Sequence, residues 1–244
     1  MSTKFLGVII DNKLSWVPHI NMLHKKLRST TGILNRISKS IPKENFKSLY
    51  YSLFESHLSY CLTIYGSANN NQTEKIFRVQ KHCLRVLFGN REEYLEKFAT
   101  CARVREFGKQ ILGSEFFCKE NSKPIFQKLK ILAFKNIYNY QACLEVLKLL
   151  KFHHPTLLYN KYSLSQRNNS TLLILPHRSK QFTYISSRIW NAGMKHIAND
   201  VCMTAIKLGP FKRKLKTCLL EIQGRHDKIE WYPLNFKLDS LYTQ

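Results

Sequence analysis

In four stretches of this chain apolar side chains return every three or four residues, and that period limits the fold more than any other property of the sequence. Ile20, Leu23, Leu27, Ile33, Leu34 and Ile37 keep to it after Pro18, while Lys25, Lys26, Arg28, Arg36 and Lys39 fall on other faces. Phe46, Leu49, Tyr50, Leu53 and Phe54 form a second stripe behind Ser40 and Pro42. Ile76, Val79, Leu84 and Leu87 form a third, with Thr73 as its expected cap and Lys75, Arg78, Lys81 and Arg85 expected outward. After Pro124 comes the longest run, with Ile125, Leu129, Leu132, Ile137, Tyr140, Leu144 and Leu147 on one face of a helix or helix pair. These periods predict a mainly α protein built as a helical bundle.

Two segments depart from the period. Residues 5–10 are apolar and β-branched, which predicts a short strand, and Asp11, Asn12 and Lys13 supply turn chemistry behind it. Residues 156–187 are mostly polar around one apolar run, which predicts a long loop, with or without a hairpin, before a short helix at Ile189 and Trp190. A last basic helix is expected over residues 211–222.

With 244 residues, 44% of them hydrophobic, the chain can bury a core. Lys and Arg number 39 against 16 Asp and Glu, a net +23, which exceeds what solubility requires and points to a polyanionic partner. Residues 121–244 carry the largest share, 20 basic against 6 acidic. The stretch around Glu92, Glu93 and Glu96 is nearest to neutral and is expected to lie off any binding surface. Seven widely spaced cysteines without a CxxC pair read as buried free thiols in a reducing compartment rather than a disulfide framework. No apolar run approaches the ~18 residues that span a bilayer, so the expectation is an intracellular protein of the nucleus or cytoplasm with no membrane and no small-molecule substrate.

Enzyme motifs are missing. There is no Walker loop, GxGxxG, HExxH or GxSxG, and His153-His154 and His82-Cys83 lack metal-ligand spacing. Only four aspartates occur, Asp11, Asp200, Asp227 and Asp239, and no two are close in sequence.

Several segments, taken in order, carry a resemblance. They are Phe5-Leu6-Gly7-Val8 with Asp11, Leu14, Trp16, Pro18, His19 and Ile20; LYYSLFESHLSYCLTIYG at 49–66; Val79-Gln80-Lys81 with Leu84-Arg85-Val86; PIFQKLKILAFKNIYNYQ at 124–141; and LPHRSKQFTYISSRIWN at 175–191, followed by the lysine-rich run 211–216. Collinear over nearly the whole chain, they resemble the end of the palm, the thumb and the post-thumb region of non-LTR (LINE, jockey-like) retrotransposon reverse transcriptases. The sequence departs from that pattern at Ala192-Gly193, where the family has Leu-Pro, and lacks the Cys/His knuckle of some relatives.

The resemblance implies a palm-end strand and turn at 1–16, a helical thumb-like domain at 17–100, a helical connector at 101–155 and a basic C-terminal region at 156–244. It implies a nucleic-acid-binding C-terminal fragment of an RNA-directed DNA polymerase that holds template-primer but lacks the catalytic aspartates. Mg²⁺ belongs to the intact parent, whose two-metal chemistry needs those carboxylates, and this chain is expected to bind no cofactor and to be inactive alone. The runner-up is a stand-alone basic helical protein, derived from a retroelement, that binds RNA or DNA.

Phe5, Leu6 and Gly7 match primer-grip positions; the alternative is a strand buried against a missing palm domain. Lys25, Lys26, Arg28, Arg36 and Lys39 are expected on the phosphates of RNA, DNA or an RNA/DNA hybrid, or else on a solvated helix face. Arg178, Lys180, Lys212, Arg213, Lys214 and Lys216 extend the basic set. Phe211 offers either a stacking surface for bases or, with Leu215 and Leu219, an inward-packing helix face.

Overall fold

The computed structural model describes residues 2–88, 123–162, 164, 173, 182–197 and 207–225. The protein is mainly helical, with 75% of these residues in helices and one small N-terminal sheet. No helix among the described residues is long and apolar enough to cross a membrane. Contacts divide the chain into two units, Met1–Cys61 with Ala68–Ile131, and Leu62–Ser67 with Leu132–Gln244.

The first unit opens with a hairpin rather than the single strand expected over residues 5–10. Strands β1 (Ser2–Phe5) and β2 (Val8–Asp11) pair antiparallel, Ser2 opposite Asp11 and Phe5 opposite Val8. Leu6 and Gly7 between them both have positive φ, 44° and 82°. That pair of left-handed residues gives the two-residue turn whose twist matches the strands, and Gly7 is what permits it. The Tyr60 hydroxyl donates to the Leu6 carbonyl at 2.7 Å and ties down the turn.

Behind β2, the Asp11 carboxylate accepts hydrogen bonds from the backbone N–H groups of Lys13, Ser15 and Trp16, each at 3.0 Å, and from the Ser15 hydroxyl at 3.1 Å. These bonds hold its pKa below the ordinary value, chiefly through the Ser15 N–H. Asp11 is therefore a turn-former that leads the chain into helix α1 (Val17–Ile37). Ile20, Leu23, Leu27 and Leu34 of α1 are buried, but Ile33 is 40% exposed and lies off the predicted stripe. Thr30 and Thr31 complete the inner face by donating their hydroxyls to the carbonyls of Lys26 and Leu27.

The next helical run changes pitch. A 3₁₀ turn at Lys43–Asn45 leads into α2 (Phe46–Leu49), a π-helical segment at Tyr50–Glu55, and α3 (Ser56–Ser59). Phe46, Tyr50, Phe54 and Leu58 are all buried at strict four-residue steps. Steps of four run ahead of a 3.6-residue turn, and the wider π turn takes up the drift. Tyr50 stacks on Phe54 at 5.4 Å and accepts from the Gln80 amide at 2.9 Å in the core.

Helix α5 (Asn70–Phe88) follows the short α4 (Leu62–Tyr65) of the second unit. It begins before Thr73, which is buried in its first turn rather than capping it, while the Asn69 side chain accepts from the Asn71 N–H at 3.3 Å. Ile76, Val79, Leu84 and Leu87 are buried as predicted. Arg85 corrects the expectation: it is 4% exposed and faces inward. His24 lies in electrostatic reach of Lys75, and Thr31 bonds Cys83, so α1 and α5 run in the same direction. Helix α6 (Lys123–Leu129) packs on α5 through Phe126, whose ring is 6.1 Å from that of Phe77.

The second unit is built around α7 (Phe134–Phe152). The stretch after Pro124 is thus a helix pair, broken at Lys130, whose φ is 53°. Phe134, Ile137, Tyr138, Ala142, Cys143, Val146, Leu147 and Leu149 bury α7 on most of its circumference, against α4, α9 (Phe182–Ile197) and α10 (Leu208–Arg225). Gln223 of α10 caps α7, its side-chain oxygen accepting from the Ala133 N–H at 2.9 Å and the Asn136 amide at 3.0 Å. Within the expected loop at 156–187 lie a one-turn helix α8 (Thr156–Tyr159) and an isolated antiparallel bridge between Leu164 and Leu173, and its expected end is corrected, since α9 already starts at Phe182.

The Ile189-Trp190-Asn191 motif is structural here. Trp190 is fully buried and stacks on Phe211 at 5.8 Å. Asn191 exchanges two 2.8 Å hydrogen bonds with the Leu173 backbone, standing in for a strand partner.

Candidate nucleic-acid interface

Helix α1 separates its charge from its core along its whole length. Lys25, Arg28, Gly32 and Arg36, at three- and four-residue steps, run along the side away from Ile20, Leu27 and Leu34. All four are exposed, and so is Lys39, which continues the line in a turn whose N–H donates to the Arg36 carbonyl at 3.4 Å. The helix's 21 residues include no Asp or Glu. Among the described residues, none of Lys25, Lys26, Arg28, Arg36 and Lys39 makes an ion pair. A solvated structural helix ordinarily interleaves acids to pair such charges. Helix α5 does: its Glu74 lies 3.5 Å from Arg78 and 3.8 Å from Lys81.

Three histidines flank this face, and sequence reading missed them. His24 sits on the α5 side of α1; its pKa is lowered by burial, then by Arg28 and Lys75. His82 of α5 is lowered by burial, then by Arg85 and Arg28. His57 of α3 is lowered by burial, then by Lys26 on the opposite flank. Positive potential along α1 therefore extends onto both neighbouring helices and, second to burial, lowers the pKa of each imidazole. The four-residue spacing of His24 and Arg28 was the available signal; the others come from helices distant in sequence.

The remaining expected residues fall in different settings. Phe5 and Leu6 are 63% and 73% exposed, and the turn accounts for Gly7. In the second unit, Lys212, Arg213 and Lys214 are exposed on α10 and Lys216 is half-buried. Phe211 is buried against Trp190, with Leu215 and Leu219 also inward, so the packing alternative holds and the ring is no stacking surface for bases. Arg178 and Lys180 lie outside the described residues.

Cys61, Cys83 and Cys143 are free thiols; burial pushes Cys83 and Cys143 up to about 12, which makes them inert. Among the described residues no group of three or more His, Cys, Asp or Glu side chains is placed to hold a metal ion, and Asp11 is already engaged by its turn. These residues do not fit the paired metals of a polymerase site. No family model, curated protein or solved structure matches the chain.

Proposed function

We propose that this chain is the nucleic-acid-holding, C-terminal part of a LINE-type RNA-directed DNA polymerase. In this reading the first unit is its thumb, and the outer face of α1 lies along the phosphates of a template-primer hybrid. Lys25, Arg28, Arg36 and Lys39 neutralise the backbone, Lys26 contributes from the flank, and the hairpin with Phe5, Leu6 and Gly7 stands toward the primer terminus. Lys212, Arg213 and Lys214 of the second unit make a separate contact with RNA or DNA. Nucleotidyl transfer is assigned to a palm and its Mg²⁺, not to residues of this chain.

The observation that carries the reading is the acid-free cationic face of α1, set opposite the core and without ion pairs among the described residues. Phosphate contact explains it without base-edge readout, as suits an enzyme that copies any sequence. The test is an anisotropy titration of the full chain with a labelled 20-base-pair RNA/DNA hybrid across salt concentrations. Five phosphate contacts predict that affinity falls by roughly 100-fold or more between 50 and 200 mM salt, equally for permuted sequences. Binding that ignores salt, or that discriminates strongly among sequences, would overturn it.

A further inference from the structure

Gly32 has no role that packing among the described residues explains. It lies inside α1, on the exposed face, in helical backbone. A Cβ built there meets nothing within 4 Å among the described residues, so none of them excludes a side chain. An exposed glycine in a helix interior weakens the helix relative to alanine. What surrounds it is charge: Arg28 and Arg36 stand one turn to either side, and Lys25 and Lys39 lie seven residues away in each direction.

We infer that Gly32 is the seat of a phosphodiester strand, the point where the nucleic-acid backbone touches the helix itself. Without a side chain, the peptide surface between Arg28 and Arg36 forms a shallow gap flanked by guanidinium groups. A strand lying in it is gripped from both sides by planar donors that match phosphate oxygens. With any Cβ the strand stands off from the helix, and both arginines must reach around the added atoms. The inference rests on the proposed nucleic-acid contact of α1 and adds the place of closest approach.

The experiment compares the full chain with Gly32→Ala and Gly32→Gln, by thermal unfolding and by anisotropy with the 20-base-pair hybrid. Alanine raises the melting temperature by about 2–4 °C, because it removes a helix-weakening residue from open space. It also weakens binding about tenfold, the loss of one charge-assisted contact, and makes the salt slope shallower by about 0.9; glutamine weakens binding further. A stabilised Gly32→Ala protein that binds as tightly as the parent overturns the inference and leaves the proposed function standing. Absence of salt-dependent binding by the parent protein overturns both.

Discussion

Replacing Lys25, Arg28 and Arg36 together by glutamine removes three charges from the outer face of α1 while keeping good helix formers there. The residues span eleven positions, about 16 Å of helix at ~1.5 Å each, enough to follow one duplex flank. All three are exposed and make no ion pair among the described residues, so the substitutions leave folding nearly unchanged, within about 0.5 kcal/mol. Each neutralised phosphate contributes about 0.9 to the slope of log affinity against log salt, so the variant's slope is shallower by about 2.7. Over a fourfold rise in salt, from 50 to 200 mM, the affinity gap between parent and variant therefore narrows by about 40-fold. Fluorescence anisotropy with a labelled hybrid at four salt concentrations measures both slopes, with circular dichroism to confirm equal helicity. Equal slopes for the two proteins would refute the assignment of phosphate contacts to this face.

Further outcomes concern the scaffold and its titration. Gly66→Ala drives a Cβ into the Tyr138 ring and to 2.6 Å from the Leu62 carbonyl, an overlap that costs about 2–3 kcal/mol. Denaturant unfolding should register that loss, whereas Gly209→Ala, with nothing within 4 Å among the described residues, should show none. Because His24, His57 and His82 have lowered pKa values when folded, the unfolded chain binds more protons as pH drops below ~6.5. Stability contributed by the neutral imidazoles is full above that pH and is lost as pH falls through their folded values; melting temperatures at pH 7.5 and 5.5 check the sign. Bound phosphate offsets the neighbouring cations and raises these pKa values, so hybrid binding takes up protons and strengthens from pH 7.5 to 6, readable by calorimetry in two buffers.

The helical stripes were legible because burial repeats with the helix period: Ile20, Leu23, Leu27 and Leu34 needed only spacing to be found. The hairpin was hidden because its apolar β-branched run contains the turn, and Leu6 at positive φ carries no turn signal of its own. Arg85 was misread outward because a period assigns a face to a helix but not the number of neighbours that cover it; α5 is packed on more than one side. The Gln223 cap on α7 joins residues ninety positions apart, a pairing that no local pattern encodes. At the candidate interface the lysines and arginines of α1 were legible from charge and period. The histidine flanks were not, since His57 and His82 reach α1 only through packing.

The position of nucleic acid on the protein can be read directly by lysine acetylation footprinting, with and without a saturating RNA/DNA hybrid at low salt. Lys25, Lys26 and Lys39 line α1 or its end and are exposed, whereas Lys81 of α5 is paired with Glu74 and lies over the Phe77 ring at 4.5 Å. The account predicts strong protection of Lys25 and Lys39, weaker protection of Lys26 on the flank, and no change at Lys81. Unaltered modification of Lys25 and Lys39 in the bound complex would contradict it.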